Sequence, residues 1–201
     1  MTAPLFAPTT ELEAVNRILA SIGQSPVNAL SASGVPDVTD AIAMLRETVR
    51  DLESAGWSWN TDRNYTLSPQ TSGFIKVPTG VLEVDAEDAS ATIVVRREPT
   101  SGELCLYDAD NHTFVFTEDV DVAIVWGFPF DDIPQAARTY ATISAARKFQ
   151  AQKVSSPTLD NYNDGDEQRA WNLLMRTERR TRDTNSFRGN AGAQRALRRR
   201  F

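Results

Sequence analysis

Hydrophobic residues in this chain recur at two different periods, and the switch from one to the other and back restricts its fold more than any other feature. As far as Gly56 they return every three or four residues. From Trp57 to Phe130 they alternate in short runs broken by turn residues, and from Asp131 onward the spacing of three and four comes back. Side chains repeat their direction about every 3.6 residues in a helix and every second residue in a strand, so one pattern does not serve as the other. The order predicted is two helices, a sheet region, two helices.

The helices carry their own punctuation. Thr10-Glu11-Leu12-Glu13 has the form of a capping box, with Thr10 as N-cap and Glu13 reaching back. Leu12, Val15, Ile18, Leu19 and Ile22 follow as one face, Gly23 stops the helix and Pro26 keeps it stopped. A second helix is expected from about Asp37 to Ala55, with Val38, Ile42, Leu45, Val49 and Leu52 as its stripe and Gly56 at its end. The third occupies Asp131–Val154. Pro134 suits its first turn and Asp131 or Asp132 can cap it. Its predicted stripe is Ile133, Ala136, Tyr140, Ile143, Ala146 and Phe149, and its many alanines let a neighbouring helix come close. After Ser155-Ser156-Pro157 a fourth helix, weakened at Gly165, is expected to continue to about Arg182 with Tyr162, Ala170, Leu173 and Leu174 as apolar residues.

In the middle, Trp57-Ser58-Trp59, Val81–Val84, Thr92–Arg97, Glu103–Tyr107, Thr113–Thr117 and Val120–Trp126 are short β-type runs. Pro99–Gly102, Asp108–Asn111 and Glu118-Asp119 supply turn chemistry between them. One small antiparallel sheet of four to six strands is expected. The fold class is therefore α+β: a bundle of four helices, two from each end of the chain, with a small antiparallel β domain inserted between helices 2 and 3. The predicted domains are residues 1–56 and 131–183 for the bundle, 57–130 for the β insertion, and 184–201 for a basic C-terminal arm.

Composition narrows the chemistry. Cys105 is the only cysteine and His112 the only histidine among 201 residues. No intrachain disulfide can form and no Cys/His zinc cage can be built. No nucleotide-binding loop or hydrolase motif is present. Asp108–His112 and Asp160–Trp171 each resemble a calcium loop in density of oxygen ligands. His112 stands where the first needs an oxygen, and Trp171 where the second needs a bidentate glutamate. The expected catalytic, cofactor and metal residues are therefore none. The start has no signal-peptide pattern and no run is apolar enough to span a bilayer, which predicts a soluble chain from a reducing compartment.

Charge is uneven. Residues 176–201 hold nine arginines against Glu178 and Asp183, a net of +7, which leaves −13 on the other 175 residues. Arg195, Arg198, Arg199 and Arg200 in this arm are candidate partner-binding residues, for phosphates or for an acidic protein groove. Trp57 and Trp59, on the same side of a strand by alternation, are candidate interface anchors, with core packing as the plainer reading.

The run Thr10–Asn16 followed by Leu19-Ala20-Ser21-Ile22-Gly23-Gln24-Ser25-Pro26-Val27 is similar to the N-terminus of the tail tubular protein A family, adaptor or gatekeeper proteins of short-tailed bacteriophages. Gly56-Trp57-Ser58-Trp59-Asn60-Thr61, Asp131-Asp132-Ile133-Pro134 with Ala145–Gln150, and Asp166–Ala170 resemble later segments of the same family. The resemblance implies a structural head-to-tail connector of the virion, assembled in the host cytoplasm, not an enzyme. It implies a self-associating ring, usually of twelve copies, beneath the portal protein. The tail nozzle (tubular protein B) would lie below, tail fibres would attach at that level, and double-stranded DNA would pass the lumen without specific binding or membrane insertion. Two other readings of the residues stand beside it: a virion-associated polysaccharide hydrolase using carboxylates of the β domain, and a DNA-binding module using the C-terminal arginines.

Overall fold

The computed structural model describes residues 7–31, 36–88, 92–154 and 157–189, the side chains of 157–163 and 183–189 excepted. The fold is mixed α+β. Four helices, α1 (Glu11–Ala20), α2 (Pro36–Glu53), α3 (Gln135–Lys153) and α4 (Pro157–Gly189), accompany five strands, β1 (Thr61–Leu67), β2 (Val81–Ala86), β3 (Ile93–Arg97), β4 (Leu104–Asp108) and β5 (Val120–Trp126). The chain divides into two compact units, one formed by residues 1–52 and 129–201, the other by Glu53–Phe128.

In the first unit α3 is the element on which α1 and α4 both pack. The most deeply buried file on α3 is Ala137, Ala141, Ala145 and Phe149, each fully covered, with Arg138, Thr142, Ser144 and Gln150 also buried. Ala136, Tyr140, Ile143 and Ala146, expected to lead the stripe, are only half-buried. The reason is that α3 is enclosed from more than one side. Small side chains let helix axes approach, so the alanine file takes the tightest contact and the larger residues move to its margins. The other helices bury the expected faces, Ala14, Val15, Ile18 and Leu19 on α1 and Val38, Ala41, Leu45, Val49 and Leu52 on α2. On α4, Ala170 and Leu174 are buried but Leu173 is exposed.

The capping box at Thr10 is present in both directions, Glu13 N–H to Thr10 Oγ1 and Thr10 N–H to Glu13 Oε2. The cap expected on α3 is not. Pro134 sits at the N-cap position without a side-chain bond, behind a 3-10 turn at Phe130–Asp132. Asp131 serves α1 instead: its Oδ1 accepts the Glu11 N–H at 3.0 Å. Arg138 completes this junction. Its guanidinium donates to the carbonyls of Ile133 and Thr9 at 2.8 Å each, and to that of Asp131. A buried arginine is tolerable only when its donors are used, and here three carbonyls take them. Ion pairs cross the helices as well: Lys153 with Asp37 and Asp40, Lys148 with Asp51, Arg147 with Asp164 and Glu167, and Arg46 with Glu11.

The β unit contains two sheets where one was expected. Three strands run β1-β5-β2 and two run β3-β4, all antiparallel. Val120–Trp126 lies between the other two strands of its sheet, with Val122 and Ile124 fully buried against Leu67, Ile75 and Leu106. Both outer strands carry an irregularity, between Asp62 and Tyr65 and between Val81 and Glu83. Such bulges twist an edge and discourage pairing with another strand. Residues Thr113–Thr117 form no strand of their own; they contribute isolated bridges to Asp108 and Phe74.

Helix α4 runs without a stop from Pro157 through Gly165 to Gly189, beyond the expected end near Arg182. Packing on α3 outweighs the glycine, since Ala170, Leu174 and Glu178 are all buried. Residues 184–189 thus continue the helix. Arg195, Arg198, Arg199 and Arg200 lie outside the described residues.

Candidate interaction surfaces

Three places in the described residues join side chains in ways the sequence alone does not order. The first is the closed end of the β unit. Asn60, almost wholly buried, accepts the Trp57 N–H through Oδ1 at 2.8 Å. Its Nδ2 donates to the carbonyls of Glu53 at 2.9 Å and Trp126 at 2.8 Å. Its backbone takes part too, with Asn60 N–H on Trp57 O and Trp126 N–H on Asn60 O. Close by, the Glu53 carboxylate accepts the Phe128 N–H at 2.9 Å. Residues from both ends of the unit are thereby tied together. Burial pushes the Glu53 carboxyl above its ordinary value, and the Phe128 hydrogen bond pulls it partly back.

The tryptophan pair belongs to this end. Residues 58–60 form a turn, not a strand, so Trp57 and Trp59 do not share a face by alternation. Trp57 is buried. Trp59 is half-buried, its ring 6.5 Å from that of Phe128, and its buried Nε1 has no hydrogen-bond partner. Asn60, which the strand reading passed over, is the residue that organises the turn. The signal was an asparagine directly after a misread alternation, a residue type that closes turns by bonding to nearby backbone.

The second place is an open groove of about 740 Å³ on the β unit, with Asn64, Ile93, Val115 and Val120 on its walls. Its carboxylates are Glu87, Asp88, Asp108, Glu118, Asp119 and Asp121, and among the described residues no lysine, arginine or histidine lines it. Several of these are engaged locally. Asp108 holds the β4 turn by accepting the Asn111 side-chain amide, which most lowers its pKa from the ordinary value, and the N–H groups of Asn111 and Asp110. Asp121 accepts the Thr66 hydroxyl. This turn is the calcium-like string of the sequence, and His112 in it has a positive φ of 55°. Among the described residues no group of three or more His, Cys, Asp or Glu is placed to hold a metal ion. Cys105 is buried, and burial raises its thiol pKa.

The third is the outer face of α4. Ala170, Leu174 and Glu178 point inward, and Trp171 meets Tyr140 of α3 at 5.1 Å. The opposite arc presents exposed Leu173, Arg176, Arg179 and Arg180.

The family model of the tail tubular proteins matches residues 12–184, which takes in the helices of both chain ends and the whole β unit. The chain belongs to the tail tubular protein family. No curated protein gives a match. Tail tubular proteins are structural components of phage tails, and this chain is one by that membership. No helix among the described residues is long and apolar enough to cross a membrane.

Proposed function

We propose that this tail tubular protein is the adaptor between head and tail of a short-tailed phage. Copies close into a ring, twelve in number, that joins the portal protein to the nozzle and surrounds the DNA on its way out. Tail fibres attach at the level of the ring, and the protein contributes contacts, not catalysis. Assembly takes place in the host cytoplasm and the product is part of the virion. The helical bundle serves as the rigid wall of the ring, and the β domain inserted between α2 and α3 is a second contact surface.

The observation that carries this reading is the family match across residues 12–184. Electrostatics agree with it. A net charge of −13 outside the last 26 residues disfavours adhesion of phosphate to the body, as a conduit for DNA requires. In the same proposal the arginines Arg195, Arg198, Arg199 and Arg200 bind the portal, and Trp59, the less buried of the tryptophan pair, anchors a neighbour.

Mixing the purified protein with its portal and imaging the product tests the proposal. Rings stacked on portal, with a central opening, are the expected result. Portals that stay bare at micromolar concentrations of both proteins would sink it.

A further inference from the structure

Carboxylates on a surface need no partner of their own. The groove on the β unit and the outer face of α4 differ in sign and agree in make-up. Among the described residues Glu118 and Asp119 make no ion pair, and neither do Arg176 and Arg179. Elsewhere in the helical unit, Lys153, Lys148, Arg147 and Arg46 are matched by carboxylates. Each surface also exposes one aliphatic side chain amid its charges, Val115 in the groove at 51% and Leu173 on the helix at 48%. The groove's 740 Å³ is space for several side chains.

We propose that the arginine face of α4 in one copy docks into the acidic groove of the next copy. Arg176 and Arg179 meet Glu118 and Asp119, and Leu173 meets Val115. The inference rests on the ring reading above and names the contact that would build the ring. Two unlike surfaces on one chain make a heterologous contact, which leaves one of each free at the ends of any open chain and so continues until it closes. Opposite charges steer the encounter and fix its register, and the aliphatic pair adds buried area.

Paired charge reversals test this. One variant carries Arg176→Glu and Arg179→Glu, the other Glu118→Arg and Asp119→Arg; all four positions are exposed, and circular dichroism checks that each variant is folded. Sedimentation at low salt should show each variant associating with itself at least about tenfold more weakly than the parent chain. Mixed together, the two should regain association as alternating copies, because the intact surface of each variant fits the intact surface of the other and the reversed surface fits the reversed one. A chain with all four reversals should associate as the parent does. Association unchanged in both variants overturns the proposal. So does an arginine variant that loses duplex DNA binding while its self-association is intact, which would assign the face to nucleic acid. Imaging with portal separates this inference from the function on which it rests. Full rings on portal with parent and variants alike remove the inference and leave the adaptor role standing; a parent chain that never gathers on portal removes the adaptor role itself.

Discussion

The helical unit and the β unit solve the same problem with different means. Around α3 the answer is shape: a file of alanines ending in Phe149, fully covered, with helices drawn close on more than one side. In the β unit the apolar core is small, centred on Leu67, Ile75, Leu106, Val122 and Ile124, and the ends of the unit are secured by one asparagine and one glutamate. Close packing tolerates little change of volume but is indifferent to pH. A polar closure tolerates small changes of volume but fails when a single donor or acceptor is lost. The difference predicts which substitutions each unit resists.

The largest effect should come from Phe149→Ala, which empties the end of the alanine file. A cost of about 3–5 kcal/mol is expected in urea unfolding. Amide exchange should quicken in α1 and α3 and change little in β1, β2 and β5. Equal acceleration in both units would break the distinction. Asn60→Ala comes next. It leaves the buried Trp57 N–H without its acceptor and takes the amide donor from the carbonyls of Glu53 and Trp126, at about 3 kcal/mol. Here exchange should quicken in the β strands. Asn60→Asp keeps the acceptor for Trp57 and loses both donors, so a variant as stable as the parent would show that the amide is dispensable.

Much of this architecture can be read from the residues, and the failures have physical causes. The helices and the β5 strand follow from the period, and the Thr10 box from its four residues. On α3 the stripe is drawn through the large residues Tyr140 and Ile143, whereas the alanines Ala137, Ala141 and Ala145 decide which face a neighbour can approach. Asp131 looked like the cap of the helix it precedes and is bonded to the helix 120 residues earlier, a pairing that only the folded chain creates. Trp57-Ser58-Trp59 alternates by coincidence of a turn. The two sheets look like one in the sequence because an alternating run does not say which other run it pairs with. The groove could not be foreseen, since its carboxylates come from three separate segments. By charge alone Arg176 and Arg179 belong with the basic arm, and it is the length of α4 that sets them on a helical face.

A cap is a local device and should matter less than either core. Thr10→Ala removes the acceptor for Glu13 N–H at an expected cost of about 1 kcal/mol. Thr10→Ser should restore most of it. A loss near zero in thermal unfolding would mean that Asp131 alone is enough to hold the start of α1.

The smallest effects, and the ones that separate the two units most finely, depend on pH. Glu98, in the β3–β4 hairpin, accepts the N–H groups of Ser101 and Thr100, which hold its carboxyl down at about 2, against an ordinary 4.5. A group lowered in the folded state contributes stability above 4.5 and loses it as pH falls toward 2. Glu53 has the opposite sign. Burial raises its carboxyl above 4.5, so its favourable contribution is complete below that value and fades as pH rises through the folded value. Glu53→Gln keeps an oxygen for the Phe128 N–H and removes the charge. The variant should match the parent at pH 4 and exceed it at pH 8, by a rise in Tm of roughly 2 °C. Glu98→Gln should do the reverse, weakening the β unit at pH 7 and leaving it nearly unchanged at pH 2. The two titrations of Tm should therefore diverge in opposite directions as pH rises. If Glu53→Gln instead lowers Tm at pH 8, the ionised carboxylate is the better acceptor for Phe128, and the charge belongs to the closure it was expected to strain.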